Sequence, residues 1–216
     1  MIRTTLYCTM LLVFWLGPSL AQENLDQITD PTSAGGESDA IGRSALGEVS
    51  IDQIGSDNLA EVTNESDTSV LVVEQRGNDQ NAFIRLSGAD NQGDITQQGA
   101  GNSADVLISG TINSFSINQS ASQNAFASSN EASLEQLGLG NIAFQTQVGQ
   151  GNRMSLRQDG ADNFADLLQD GQRNSMELEQ NGDGNVADLK QYGVEAAPIS
   201  VRQTGGMSVQ ITQTGD

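Results

Sequence analysis

In "NRMSLRQ" an extended chain puts Asn152, Met154, Leu156 and Gln158 on one face and Arg153, Ser155 and Arg157 on the other. "NSMELEQ" does the same with Asn174, Met176, Leu178 and Gln180 against Ser175, Glu177 and Glu179. A period of two is a strand period, with charges turned to water and amides and apolar groups turned inward. These six-residue steps alternate with five-residue steps that hold a glycine, so the pattern predicts short strands joined by turns. Gly55, Gly77, Gly99, Gly138, Gly149, Gly160, Gly171, Gly182 and Gly193 are the candidate turn residues, because glycine reaches positive φ without steric cost.

The inward amides recur with a period of eleven. Glutamine stands at Gln136, Gln147, Gln158, Gln169, Gln180 and Gln191, and asparagine at Asn141, Asn152, Asn163, Asn174 and Asn185. In the first half the unit is doubled: Gln53, Gln75, Gln97 and Gln119 are spaced by 22, with Asn64, Leu86 and Ile108 between them. Asn102, Asn124 and Asn130 belong to the asparagine frame. The steps from Asn124 to Asn130 and from Asn130 to Gln136 both have strand length, which predicts a missing turn and divides the repeats into blocks 47–130 and 130–216.

This frame predicts about sixteen strands between Gly47 and Gln213. Strand, turn, strand, turn takes 22 residues, so the economical fold is an all-β solenoid of about eight coils with two parallel, in-register sheets. At about 4.8 Å per rung the stack is roughly 40 Å tall. Proline, which interrupts ladders, is absent between Pro31 and Pro198. Only an amide both donates and accepts, so identical amides one above another can form a continuous ladder. Ordering a coil costs more backbone entropy than its few buried apolar side chains return, so each coil needs neighbours. The motif runs through "VRQTGGMSVQITQTGD", and Val209, Ile211 and Gln213 are expected to form an open terminal edge.

Composition narrows the function. Of 216 residues, Met1 to Ala21 reads as a secretory signal, with Arg3, the apolar "LYCTMLLVFWL" and the small residues of "SLA". That apolar run is too short to span a bilayer, and no later one is longer. Cys8 and Trp15 fall inside the signal and the chain has no histidine, which excludes disulfides and Cys or His metal sites from the mature protein. Gln22 to Ser44 is polar and aperiodic, as in a flexible leader. The 28 acidic side chains stand against nine basic ones less Arg3, a mature net charge of -20 that disfavours nucleic acid and anionic membranes. Outward Asp166, Glu177, Glu179 and Asp188 predict like charges on successive rungs, offset by Arg157, Arg173 and Lys190. Asp159 with Asp162, or Asp166 with Asp170, can be read as a carboxylate pair or calcium site, but their turn and outward positions favour a solvated surface. No cofactor and no catalytic constellation is expected.

The pattern Gln-x-Gly-x-x-Asn-x-Ala in "QLGLGNIA", "QDGADNFA" and "QNGDGNVA" resembles the curlin repeat of bacterial curli amyloid subunits, over about Gly47 to Asp216. The resemblance implies a leader read by an outer-membrane secretion channel and a repeat region that polymerises, with itself and a companion curlin subunit. The product is an extracellular fibre of a Gram-negative bacterium, used in adhesion and biofilm. Departures are the irregularity near Asn130, Met154 and Met176 in place of alanine, and Gln80 in place of asparagine. The single eleven-residue units and the degenerate last repeat, where the glutamine spacing slips to twelve and then ten, resemble the minor, nucleating kind of subunit. A soluble monomeric β-helical adhesin is one alternative. A β-helix carbohydrate-active enzyme is another, disfavoured because the eight mature cations are scattered.

Overall fold

The computed structural model describes residues 28–29, 39–44, 47–66, 68–122 and 129–215. Among the described residues there is no helix. The first nine strands are β1 (Ile28–Thr29), β2 (Asp39–Ser44), β3 (Glu48–Ser56), β4 (Leu59–Ser66), β5 (Val70–Asn78), β6 (Asn81–Ala89), β7 (Gln92–Ala100), β8 (Ser103–Thr111) and β9 (Ser114–Ser120). There follow β10 (Glu131–Leu139), β11 (Ile142–Gln150), β12 (Arg153–Ala161), β13 (Phe164–Gln172), β14 (Ser175–Asn181), β15 (Val186–Val194), β16 (Ile199–Thr204) and β17 (Ser208–Thr214). The odd-numbered strands make one nine-stranded sheet and the even-numbered strands an eight-stranded sheet, each in chain order. Every pairing is parallel, so the chain winds between the two sheets as a β-solenoid of about seven turns.

Fifteen strands, β3 to β17, lie between Gly47 and Gln213, where the periodicity predicts about sixteen. The difference sits after β9. Ser103 of β8 lies opposite Asn81 of β6 but also opposite Glu131 of β10, 28 residues on instead of 22. The connection from β9 to β10 is therefore six residues longer than its counterparts, an insertion where the spacing suggested a lost turn. Residues 123–128, Asn124 among them, are outside the described residues. So are residues 1–21, where a signal is expected, and all of the expected leader 22–44 except β1 and β2, which pair with β3 and β4.

Register follows from the inward residues. On β10, β12 and β14 the triplets Ala132–Leu134–Gln136, Met154–Leu156–Gln158 and Met176–Leu178–Gln180 face one another position by position, none more than 1% exposed. On the other sheet Ala165, Leu167 and Gln169 match Ala187, Leu189 and Gln191. A slip of one residue would turn arginines and glutamates into this core, so the pattern admits one register.

The nine candidate turn glycines all have φ between 90° and 147°. Eight of them are in the last residues of a strand and Gly182 is just after β14, so the strands run through the glycine and bend there. The tight left-handed position comes two residues later, for example Gly151 at φ 68°. At Gly149 the reason for glycine is a close approach: a Cβ would stand 1.8 Å from the carbonyl oxygen of Gly171 in the next coil. Where Ile112 takes the left-handed position at φ 59°, a β-branched side chain is held in strained backbone.

Two alanine substitutions separate these roles. Gly149→Ala should prevent native stacking, since backbone of the next coil occupies the site. Gly184→Ala, at φ 69° with nothing within 4 Å, should cost only the left-handed penalty of about 1–2 kcal/mol. Chemical denaturation of the two variants checks this; equal losses would contradict it.

Candidate functional site: four columns of stacked amides

The glutamines expected to stack form two columns inside the solenoid, one per sheet. In the odd-numbered sheet the Nε2 of Gln53 donates to the Oε1 of Gln75 at 2.6 Å, Gln75 to Gln97 at 2.7 Å and Gln97 to Gln119 at 2.8 Å. The line continues from Gln119 to Gln147 at 2.9 Å, across the insertion, then to Gln169 at 3.1 Å, Gln191 at 3.0 Å and Gln213 at 3.4 Å. In the even-numbered sheet Gln136 donates to Gln158, Gln158 to Gln180 and Gln180 to Gln203, each at 2.8 Å. The second N–H of these amides ties the sheets together: Gln158 donates to the Ile142 carbonyl at 3.0 Å and Gln180 to that of Phe164 at 2.9 Å.

Asparagines fill two further columns at the corners, just before each strand. Ahead of the even strands stand Asn58, Gln80, Asn102, Asn130, Asn152 and Asn174; ahead of the odd strands stand Ser69, Asn91, Asn113, Asn141, Asn163 and Asn185. Most of these asparagines work as clamps. The Oδ1 of Asn152 accepts the backbone N–H of Asn174 at 3.1 Å, while its Nδ2 donates to the carbonyls of Val148 at 3.1 Å and Gly171 at 3.0 Å. Corner side chains donate backwards, as Asn185 to Asn163 at 2.9 Å, whereas the glutamines donate forwards, so the two kinds of column carry opposed amide dipoles. A hydrogen bond of this type contributes about 1 kcal/mol net, and a buried amide left without its partner costs about 1–3 kcal/mol.

The columns also show where they fail. Between Asn64 and Gln136 the even column passes through Leu86 and Ile108, and both flanking amides lose a partner: Asn64 Nδ2 and Gln136 Oε1 are buried and unpaired, as is Nε2 of Gln80, which replaces an asparagine. Gln145 is buried at a position where its in-register neighbours are Ile117 and Leu167, and its Oε1 is unpaired. The ladder at the insertion runs from Asn102 directly to Asn130, at 3.3 Å. Sequence reasoning missed Asn58, Asn91 and Asn113. Each stands six residues before a strand-centre position of the same frame, Asn64, Gln97 and Gln119, and that offset could have found them.

On the outer faces the sign of charge alternates in the even sheet instead of repeating. Glu135, Arg157, Glu179 and Arg202 share one column. Arg157 bonds Glu135 at 2.5 Å and Asp159 at 3.1 Å, and Arg202 reaches Glu179 at 2.5 Å. The hydrogen bond that Arg157 donates to Asp159, with Glu135 adding to it, raises the Arg157 pKa above its usual value. Arg173 pairs with Glu195, and Arg153 with Glu131. Like charges do stack in the odd sheet, where Asp166 lies opposite Asp188; there Lys190 bonds Asp188 at 3.0 Å and its pKa is raised chiefly by that bond. Asp162 and Asp170 are exposed, and among the described residues no group of three or more acidic side chains is placed to hold a metal ion.

Two substitutions to leucine should have opposite signs. Gln158→Leu leaves one N–H of Gln136 without its acceptor and the Oε1 of Gln180 without its donor, and should destabilise by about 2–4 kcal/mol. Gln145→Leu gives up the bond that Nε2 donates to the Ser133 carbonyl at 3.1 Å but removes the unpaired acceptor and fills an apolar column, and should stabilise by up to about 1 kcal/mol. Denaturation midpoints measure both; a loss of equal size at the two sites would show that the columns are not what distinguishes them.

At the C-terminal end, Val209 and Ile211 are half-buried against the core and Gln213 is half-exposed, and among the described residues β17 has only β15 as sheet neighbour. Against known proteins, residues 88–120 and 160–193 each match the curlin associated repeat. No curated protein and no solved structure matches the chain. The two matched segments cover coils through which the glutamine and asparagine columns run, so both segments carry the curlin associated repeat.

Proposed function

We propose that this curli-type structural subunit stacks with further copies of itself, and with a companion curlin subunit, into an extracellular amyloid fibre for adhesion and biofilm formation. Export proceeds through an outer-membrane secretion channel. The observation that carries the reading is the contrast between the last two rungs of the odd sheet. Ala187, Leu189 and Gln191 are fully buried, while the same positions one rung on, Val209, Ile211 and Gln213, stay partly open. A further strand in the same register would bury those side chains, pair the outer edge of β17 and receive the next amide of the column. Such an addition repeats an interaction that the chain already makes many times internally. The excess of acidic side chains opposes it, through a repulsion that salt screens.

The mature protein, held for a day in dilute buffer, should form fibres that bind an amyloid dye and diffract at about 4.7–4.8 Å along the axis. Raising sodium chloride from about 20 to about 300 mM, which shortens the Debye length severalfold, should shorten the lag. Protein that remains monomeric and dye-negative under all these conditions would favour a monomeric β-solenoid adhesin.

A further inference from the structure

Every corner position from Asn58 to Asn185 carries a side-chain oxygen. That oxygen commonly accepts a backbone N–H from the corner of the following coil: Asn58 from Gln80 at 3.2 Å, Ser69 from Asn91 at 3.0 Å, Asn141 from Asn163 at 3.1 Å, Asn163 from Asn185 at 3.0 Å. The last coil receives the same bond, since Ala196 N–H donates to Asn174 at 3.0 Å and Met207 N–H to Asn185 at 3.1 Å. It cannot pass the bond on. Alanine has no acceptor, and the methionine thioether is a weak one whose sulfur already sits 3.5 Å from the Thr204 N–H. Both glutamine columns, by contrast, continue into this coil at Gln203 and Gln213.

We propose that the face formed by β16 and β17 binds a second copy of this chain through the glutamine and apolar columns alone, and that Ala196 and Met207 set the strength of that contact by ending the asparagine columns. The proposal rests on the fibre reading above and adds to it a seam: each junction between copies lacks two corner bonds that the rungs inside a copy possess. The last coil is thereby a weaker template than the interior ones. Addition of a copy is correspondingly more reversible than internal folding. Met207 acts on the interface and not on the chain's own core, because it is 43% exposed, whereas Ala196 is 9% exposed; the backbone N–H of each already bonds the preceding coil.

The test is a gain of function. Met207→Asn and Ala196→Asn each supply the missing acceptor, and each should lower the monomer concentration left in equilibrium with fibres by about fivefold, the effect of one hydrogen bond of about 1 kcal/mol. The thermal midpoint of the freshly prepared monomer should stay unchanged in Met207→Asn, whose site is exposed. Met207→Ser, which copies the acceptor at Ser69 with a smaller group, should shift the equilibrium in the same direction but less. Ala197→Asn, one residue off the corner, should leave it unmoved. Wild-type fibres with the residual monomer unaltered by Met207→Asn and Met207→Ser, or altered equally by Ala197→Asn, would overturn the seam and leave the fibre reading intact. Absence of ordered fibres from the wild-type protein would overturn the fibre reading itself, and the seam with it.

Discussion

A buried side-chain amide has to be satisfied on both sides, and in this solenoid the residue that satisfies it is the same residue one coil later. The Gln158 amide spans Gln136 and Gln180, accepting from the first and donating to the second. This requirement is stricter than hydrophobic burial, which accepts any apolar neighbour of suitable size. It fixes the parallel direction of pairing, the one-to-one register and the length of the coil.

The rest of the architecture keeps successive coils close enough for those bonds to form. Rungs must approach within one strand spacing even at the bends, which is why Gly149 lies under the Gly171 carbonyl with no room for a Cβ. The corner asparagines serve the same end, binding the N–H and C=O groups that a sharp change of direction would leave unpaired. Outside, alternating charge in the column Glu135, Arg157, Glu179 and Arg202 lets acidic rungs stack, though each exposed pair contributes little by itself. Where acids meet directly a cation stands beside them: Lys190 at Asp166 on Asp188, and Arg76 at Asp52 on Glu74. Coupling between coils is also what makes the fold extensible, since the bonds that add an internal rung are those an incoming strand would make.

Much of this was legible in the sequence because the period is visible without any knowledge of the fold. Alternation in "NRMSLRQ" assigns faces, and the 22-residue recurrence of Gln53, Gln75, Gln97 and Gln119 assigns neighbours. The connection after β9 was not legible, since six added residues and one lost turn leave the same spacing between the glutamines on either side. Gln145 stayed hidden for a different reason: a polar residue in an apolar column breaks no period, and only its three-dimensional neighbours Ile117 and Leu167 mark it as out of place. The charge columns misled because a list of acids on successive rungs ignores which of the four outward positions each occupies. Once the register is known, Glu179 falls between two arginines.

The central claim, that in-register amide columns hold the coils together, is tested most directly by hydrogen exchange of the side-chain amides themselves. With glutamine and asparagine side chains labelled with nitrogen-15, the NH₂ protons of Gln147, Gln158, Gln169 and Gln180 should exchange as slowly as the backbone amides of the strands that carry them, while those of exposed Gln92 and Gln210 exchange at once. Rapid exchange at the four buried glutamines, with backbone protection intact, would show that the strands stack without the amide columns and would contradict the account.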